Sequence, residues 1–95
     1  MTTPTFYDQN KLTEIIALSQ RLGTDSNKLI DMMQHHTTEI KELFDSKNKH
    51  FAVETGDLMI LSLQLLLMEG YSVDEIMDKC YSRFDKKLNG VLENG

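Results

Sequence analysis

The stretch Glu54-Thr-Gly-Asp57-Leu-Met-Ile-Leu-Ser-Leu-Gln-Leu-Leu-Leu-Met68-Glu-Gly70 decides the fold of this 95-residue chain. From Leu58 to Met68 only Ser62 and Gln64 interrupt the apolar side chains. The chain has a single proline, Pro4, and no β-branched alternation, so the run reads as a helix that ends at Gly70. A helix that is apolar almost all round cannot be covered by one neighbouring stripe. In a chain this short its outer face would leave a large wet patch. The expectation is an all-α fold, a small four-helix bundle-like protomer that forms a homo-oligomer, dimer or tetramer, through this apolar central helix.

Working outward, the first helix reads from about Asp8 to Leu22, with Leu12, Ile15, Ile16 and Leu22 on one side and Gly23 as its stop. Thr24, Asp25 and Ser26 are capable N-caps for a second helix, whose stripe is Leu29, Met33, His36, Ile40 and Phe44. Residues 45–49 are a polar connector, and the third helix begins near His50. Ser72-Val-Asp-Glu75 is a capping box for a fourth helix, closed at Gly90, with the stripe Val73, Ile76, Met77, Cys80, Tyr81, Phe84 and Leu88. No linker or internal repeat divides the chain, so residues 1–95 read as one domain.

Composition narrows the function. Ten Lys and Arg against fifteen Asp and Glu give a net charge of −5, without the basic surface that a nucleic-acid backbone requires. One cysteine, Cys80, excludes a disulfide scaffold and a Cys-rich zinc site, and reads as buried filler. The eleven residues from Leu58 to Met68 would reach about 16 Å as a helix, roughly half a bilayer core, so no membrane span is expected. The start of the chain has neither a basic n-region nor an apolar h-region, and a cytoplasmic location follows by default.

The chemistry lies at Glu39-Ile-Lys-Glu42 and Glu54-Thr-Gly-Asp57, two acidic pairs spaced i, i+3 on a helix face. An antiparallel hairpin with its midpoint near residue 48 would level Glu39 with Asp57 and Glu42 with Glu54. Four carboxylates would then meet on two levels about 4.5 Å apart. Such like charges would raise one another's pKa unless bound cations, protonation or rotation into water offset the repulsion. An all-oxygen set favours a hard ion, Mg²⁺ or Mn²⁺. Glu54→Gln would then leave the metal-free fold unharmed or slightly more stable. Gly56, inside the second pair, costs the helix about 1 kcal/mol, for which close approach of a ligand or a helix would be a reason.

The run Glu39-x-x-Glu42, then Val53-Glu54-Thr-Gly-Asp57-Leu-Met-Ile, then Gly70-Tyr-Ser-Val-Asp-Glu75-Ile-Met-x-Lys79 resembles the MazG-type all-α nucleoside triphosphate pyrophosphohydrolases. The resemblance covers about residues 26–90. It implies Mg²⁺ held by Glu39, Glu42, Glu54 and Asp57, and hydrolysis of a (deoxy)nucleoside triphosphate to monophosphate and pyrophosphate. This nucleotide-pool house-cleaning activity would use Glu39 or Glu42 as the base. The chain has Thr38 where family members often carry a further Glu, and its eleven-residue interval between Glu42 and Glu54 is short for the family.

A triphosphate adds about four negative charges to four carboxylates, so further cations are expected. Lys79, Arg83 and Lys86, with Lys87, recur along the fourth helix and are the candidates for binding phosphate; their plainer reading is a solvated basic face. His35 shares a face with Glu39 and Glu42, and His50 lies one turn before Glu54; both are candidates for a base or phosphate contact. His36, in the apolar stripe, reads as a hydrogen-bonded core residue. The alternatives to an enzyme are a non-catalytic helical oligomerisation module with a solvated acidic hairpin, and a regulatory nucleotide binder without turnover.

Overall fold

The computed structural model describes residues 7–94, folded into α1 (Gln9–Arg21), α2 (Ser26–Asp45), α3 (Phe51–Met68) and α4 (Val73–Asn94). There is no strand among the described residues. Asp8 and Asp25 cap α1 and α2, their carboxylates accepting from the backbone N–H of Lys11 and Lys28. The small all-α bundle and its order of helices follow the sequence closely.

The first three helices stop in the same way. The residue after each C-cap is left-handed: Gly23 (φ 76°), Lys47 (φ 61°) and Gly70 (φ 83°). At α2, the Lys47 N–H donates to Phe44 O and the Asn48 N–H to Leu43 O, and the equivalent pairs close α1 and α3. These paired bonds satisfy carbonyls that a helix end leaves open. Ser72 Oγ accepts from the Glu75 N–H at 3.4 Å, the N-cap half of the expected box.

Gly90 does not close α4, which runs through it to Asn94. Gly90 has no left-handed φ, and Val91-Leu92-Glu93 can continue a helix. A glycine stops a helix only when it takes the left-handed conformation and the next N–H turns back to the last turn.

The core lies at the C-terminal half of α3. Leu12, Leu63 and Val73 are buried together, with Tyr7, Ile16, Leu67 and Met77 packed against them. Gln64, buried among these helices, accepts a hydrogen bond from Ser19 Oγ at 3.1 Å. Leu29 of α2 and Leu61 of α3 are also buried. By length and composition alone α3, with 18 residues of mean hydropathy 1.5, is apolar enough to cross a membrane. Its first two turns add to the eleven-residue run, but they also carry Glu54 and Asp57.

The stripe of α4 was expected to be core, yet only Val73 is buried, with Ile76, Met77 and Cys80 half-buried. Tyr81, Phe84 and Leu88 are 68%, 64% and 61% exposed, because α4 packs on α3 near its own start and then leaves the body. The radius of gyration, 16.1 Å, exceeds the roughly 12.4 Å of a compact chain this long.

Candidate functional site

The hairpin brings the acidic pairs together in a register one helical turn away from the expected one. Helical turns resume immediately after Lys47: the Phe51 N–H donates to Asn48 O and the Ala52 N–H to Lys49 O, ahead of the α-helical bonds of α3. The chain therefore reverses near residues 46–47, and not at residue 48. Glu39 consequently meets Glu54, and His36 stands with Glu54 and Asp57. His36 thus takes the place beside Asp57 that Glu39 was expected to hold, while Glu42 and Glu54 line one cleft.

His36 Nδ1 lies 2.5 Å from Glu54 Oε2, with both side chains largely covered. One ligand atom from each of His36, Glu54 and Asp57 falls within 4.8 Å of the others. His50 Nε2 approaches the other oxygen of Glu54 at 3.4 Å. Toward the connector, Glu39, Glu42, Leu43, Ser46, His50 and Glu54 line a cleft of about 550 Å³. Glu42 is exposed on its wall and is not one of the His36, Glu54 and Asp57 group. His35 Nε2 is paired with Glu39 Oε1 at 3.0 Å along α2.

The electrostatics also depart from four mutually repelling carboxylates. Burial pushes the Glu54 carboxyl up, but hydrogen bonds shared with His36 and Glu39 and the charges of His36 and His50 outweigh it. Glu54 therefore sits below the ordinary glutamate value. The direction is opposite to the rise that mutual repulsion of carboxylates would give.

His36 is the residue that the sequence placed elsewhere. It is hydrogen-bonded, as expected, but its partner is the central carboxylate and not a core group. Recognising that Asn48–His50 already belong to the helical path of α3 would have corrected the pairing and brought His36 level with Asp57.

The basic candidates are not at the cleft. Lys79, Arg83 and Lys86 are exposed on α4, which makes no packing contact with α2, and no described residue pairs them with an acid of the site. Lys86 and Lys87 instead flank a shallow depression on α4 beside Gly90 and Val91. The close approach expected at Gly56 is also absent within the chain, since a Cβ there would meet no atom within 4 Å.

No protein-family model, curated protein or solved structure matches the chain.

Proposed function

We propose that this chain is a divalent-metal-dependent hydrolase that cleaves (deoxy)nucleoside triphosphates to monophosphate and pyrophosphate, the activity implied by its resemblance to the MazG-type enzymes. The observation that supports this reading is the concentration of Glu39, Glu42, Glu54, Asp57, His36 and His50 on two facing helices beside an open cleft. Glu39, Glu54 and Asp57 offer hard oxygen donors that suit Mg²⁺ or Mn²⁺, and the His36 imidazole tilts the set toward Mn²⁺. A metal–ligand bond of about 2.0–2.3 Å fits three donor atoms this close with small side-chain adjustments. The bound ion supplies positive charge against the phosphates and makes water more acidic.

Each side chain then has a role that its position allows. Glu42, exposed in the cleft, accepts a proton from water, while Glu54 is held ionised by its histidine neighbours. His50 and His35, each beside a carboxylate, can donate to phosphate oxygens. The test is pyrophosphate release from each common NTP and dNTP with Mg²⁺ and with Mn²⁺. Turnover of at least one nucleotide, lost in Glu54→Gln, is expected. No release from any of them with either ion would reject the hydrolase.

A second reading, a non-catalytic helical oligomerisation module, is favoured by the apolar surface left on α3 and α4 and by the distance of the basic residues from the cleft. It predicts no turnover, and a protein whose assembly is indifferent to Glu54→Gln.

A further inference from the structure

The donors that the hairpin assembles are not all oxygen. Among the described residues, the group whose donor atoms lie within 4.8 Å of one another is His36, Glu54 and Asp57, so a nitrogen stands where a further carboxylate was expected. Glu39 is engaged by His35 at 3.0 Å, and Glu42 is outside the group. The two residues at its centre are held in place. His36 and Glu54 are 19% and 13% exposed, and they lie on α2 and α3, the most extensively packed pair of helices in the protein. His50 Nε2 approaches Glu54 Oε1 at 3.4 Å, which leaves Oε2 turned to His36. Ligands fixed in this way lose little freedom when an ion binds.

A hydrogen bond between His36 and Glu54 does not account for the third member. Asp57 has no hydrogen-bond or ion-pair partner among the described residues, yet its carboxylate stands beside that of Glu54. Two carboxylates this close repel unless positive charge lies between them. Together with a neutral imidazole they balance a divalent ion and leave it open positions, as in hydrolytic sites with three protein ligands and a water. The nitrogen decides which ion fits. Mg²⁺ keeps to oxygen ligands in a near-octahedral shell, whereas imidazole suits Zn²⁺ and other first-row transition ions, with affinity rising from Mn²⁺ to Co²⁺.

We propose that His36 Nδ1, with one oxygen each of Glu54 and Asp57, binds a transition ion such as Zn²⁺ or Co²⁺ in preference to Mg²⁺. His36 sets the preference, and His50 is a positioning residue that steadies Glu54 through its other oxygen. This rests on the metal-dependent reading above and departs from the all-carboxylate Mg²⁺ site that the resemblance implies.

Calorimetric titration of the full chain with Zn²⁺, Co²⁺, Mn²⁺ and Mg²⁺, without nucleotide, tests this together with imidazole ¹H–¹⁵N spectra recorded with Zn²⁺. Wild type should bind Zn²⁺ and Co²⁺ at least about 100-fold more tightly than Mg²⁺, and the His36 Nδ1 resonance should shift more than any nitrogen of His35 or His50. His36→Asn should weaken Zn²⁺ and Co²⁺ by about 10–100-fold and leave Mg²⁺ within about twofold. His36→Asp, which makes the set all oxygen, should tighten Mg²⁺ while weakening Zn²⁺. Wild type that binds neither Zn²⁺ nor Co²⁺ overturns the proposal, as does Zn²⁺ affinity unchanged in His36→Asn. An unmoved His36 Nδ1 in Zn²⁺-saturated wild type overturns it too, and this is read without any variant having to fold. Zn²⁺ held by His36 with no pyrophosphate released supports the site and rejects the hydrolase alone. Turnover with Mg²⁺ and no ligation by His36 overturns the site alone.

Discussion

Glu54 is held by His36 at 2.5 Å and His50 at 3.4 Å, and its carboxyl lies below the ordinary glutamate range. A carboxyl with a depressed folded pKa stabilises the fold above its unfolded value, about 4.3, and that contribution disappears as pH falls through the folded value. Metal-free Glu54→Gln should therefore be less stable than wild type at neutral pH, with the gap closing below pH 4; this reverses the neutral or stabilising effect expected from repulsion alone. Thermal melts of both proteins between neutral and strongly acidic pH measure it, and parallel curves would show that the histidine contacts contribute nothing. With metal and nucleotide, the same variant should lose activity by about 100-fold or more, the scale of a lost electrostatic contact in a transition state. At the other end of the hairpin, Lys47 holds a φ of 61°. A side chain there costs roughly 1–2 kcal/mol in the left-handed region, partly offset by the extra chain entropy of glycine. Lys47→Gly should stabilise the fold by about 0.5–1 kcal/mol in urea titration. A destabilised variant would mean that the lysine side chain matters more than the backbone.

Among the elements, two glycines that look alike in the sequence separate by conformation. Gly70 ends α3 at φ 83°, whereas Gly90 lies inside α4 without positive φ, and a Cβ at either meets no atom within 4 Å. Gly70→Ala should cost about 1–2 kcal/mol through backbone strain. Gly90→Ala should gain about 0.5–1 kcal/mol through helix propensity. Equilibrium unfolding of the pair checks both signs, and a loss at Gly90 would place a close neighbour there, such as the second copy. The helices themselves were legible in outline: a start near Asp8, a cap for α2 among Thr24, Asp25 and Ser26, of which Asp25 serves, stops at Gly23 and Gly70, and the apolar run as α3. Gly90 is the helix end that the structure moves: Val91-Leu92-Glu93 can continue a helix, whereas Gly70 is followed by Ser72, which caps the next one.

At the scale of the molecule, a divalent ion that binds only the folded chain raises its stability by mass action, about 2.7 kcal/mol when its concentration is a hundred times its Kd. Millimolar Mn²⁺, and less strongly Mg²⁺, should raise Tm, and Glu54→Gln should abolish the rise. Differential scanning fluorimetry with each ion, with and without nucleotide, decides it; equal melting under all conditions would leave the acidic hairpin as solvated charge. The phosphate-binding cations expected on α4 are not at the cleft within one chain, since α4 makes no packing contact with α2 and its basic side chains face solvent. Direct contact of Lys79, Arg83 or Lys86 with substrate would therefore require movement of α4 or a second chain.

The all-α class, the order of the helices and the acidic character of the α2–α3 hairpin follow from the residues and their spacing. These depend on periodicity, caps and stops, which act over a few neighbouring residues. The tertiary structure decided which side chains meet. The left-handed backbone at Lys47 places the reversal near residues 46–47, and in an antiparallel helix pair a small shift of the turn displaces the partners by a whole helical turn. That displacement brings His36 in among the carboxylates, beside Glu54 and Asp57. The course of α4 is likewise set by the turn after Gly70 and by the small core around Val73, so a stripe that repeats faithfully in sequence is buried at one end and bare at the other. Periodicity says that a helix has an apolar face; packing alone says what, if anything, that face touches.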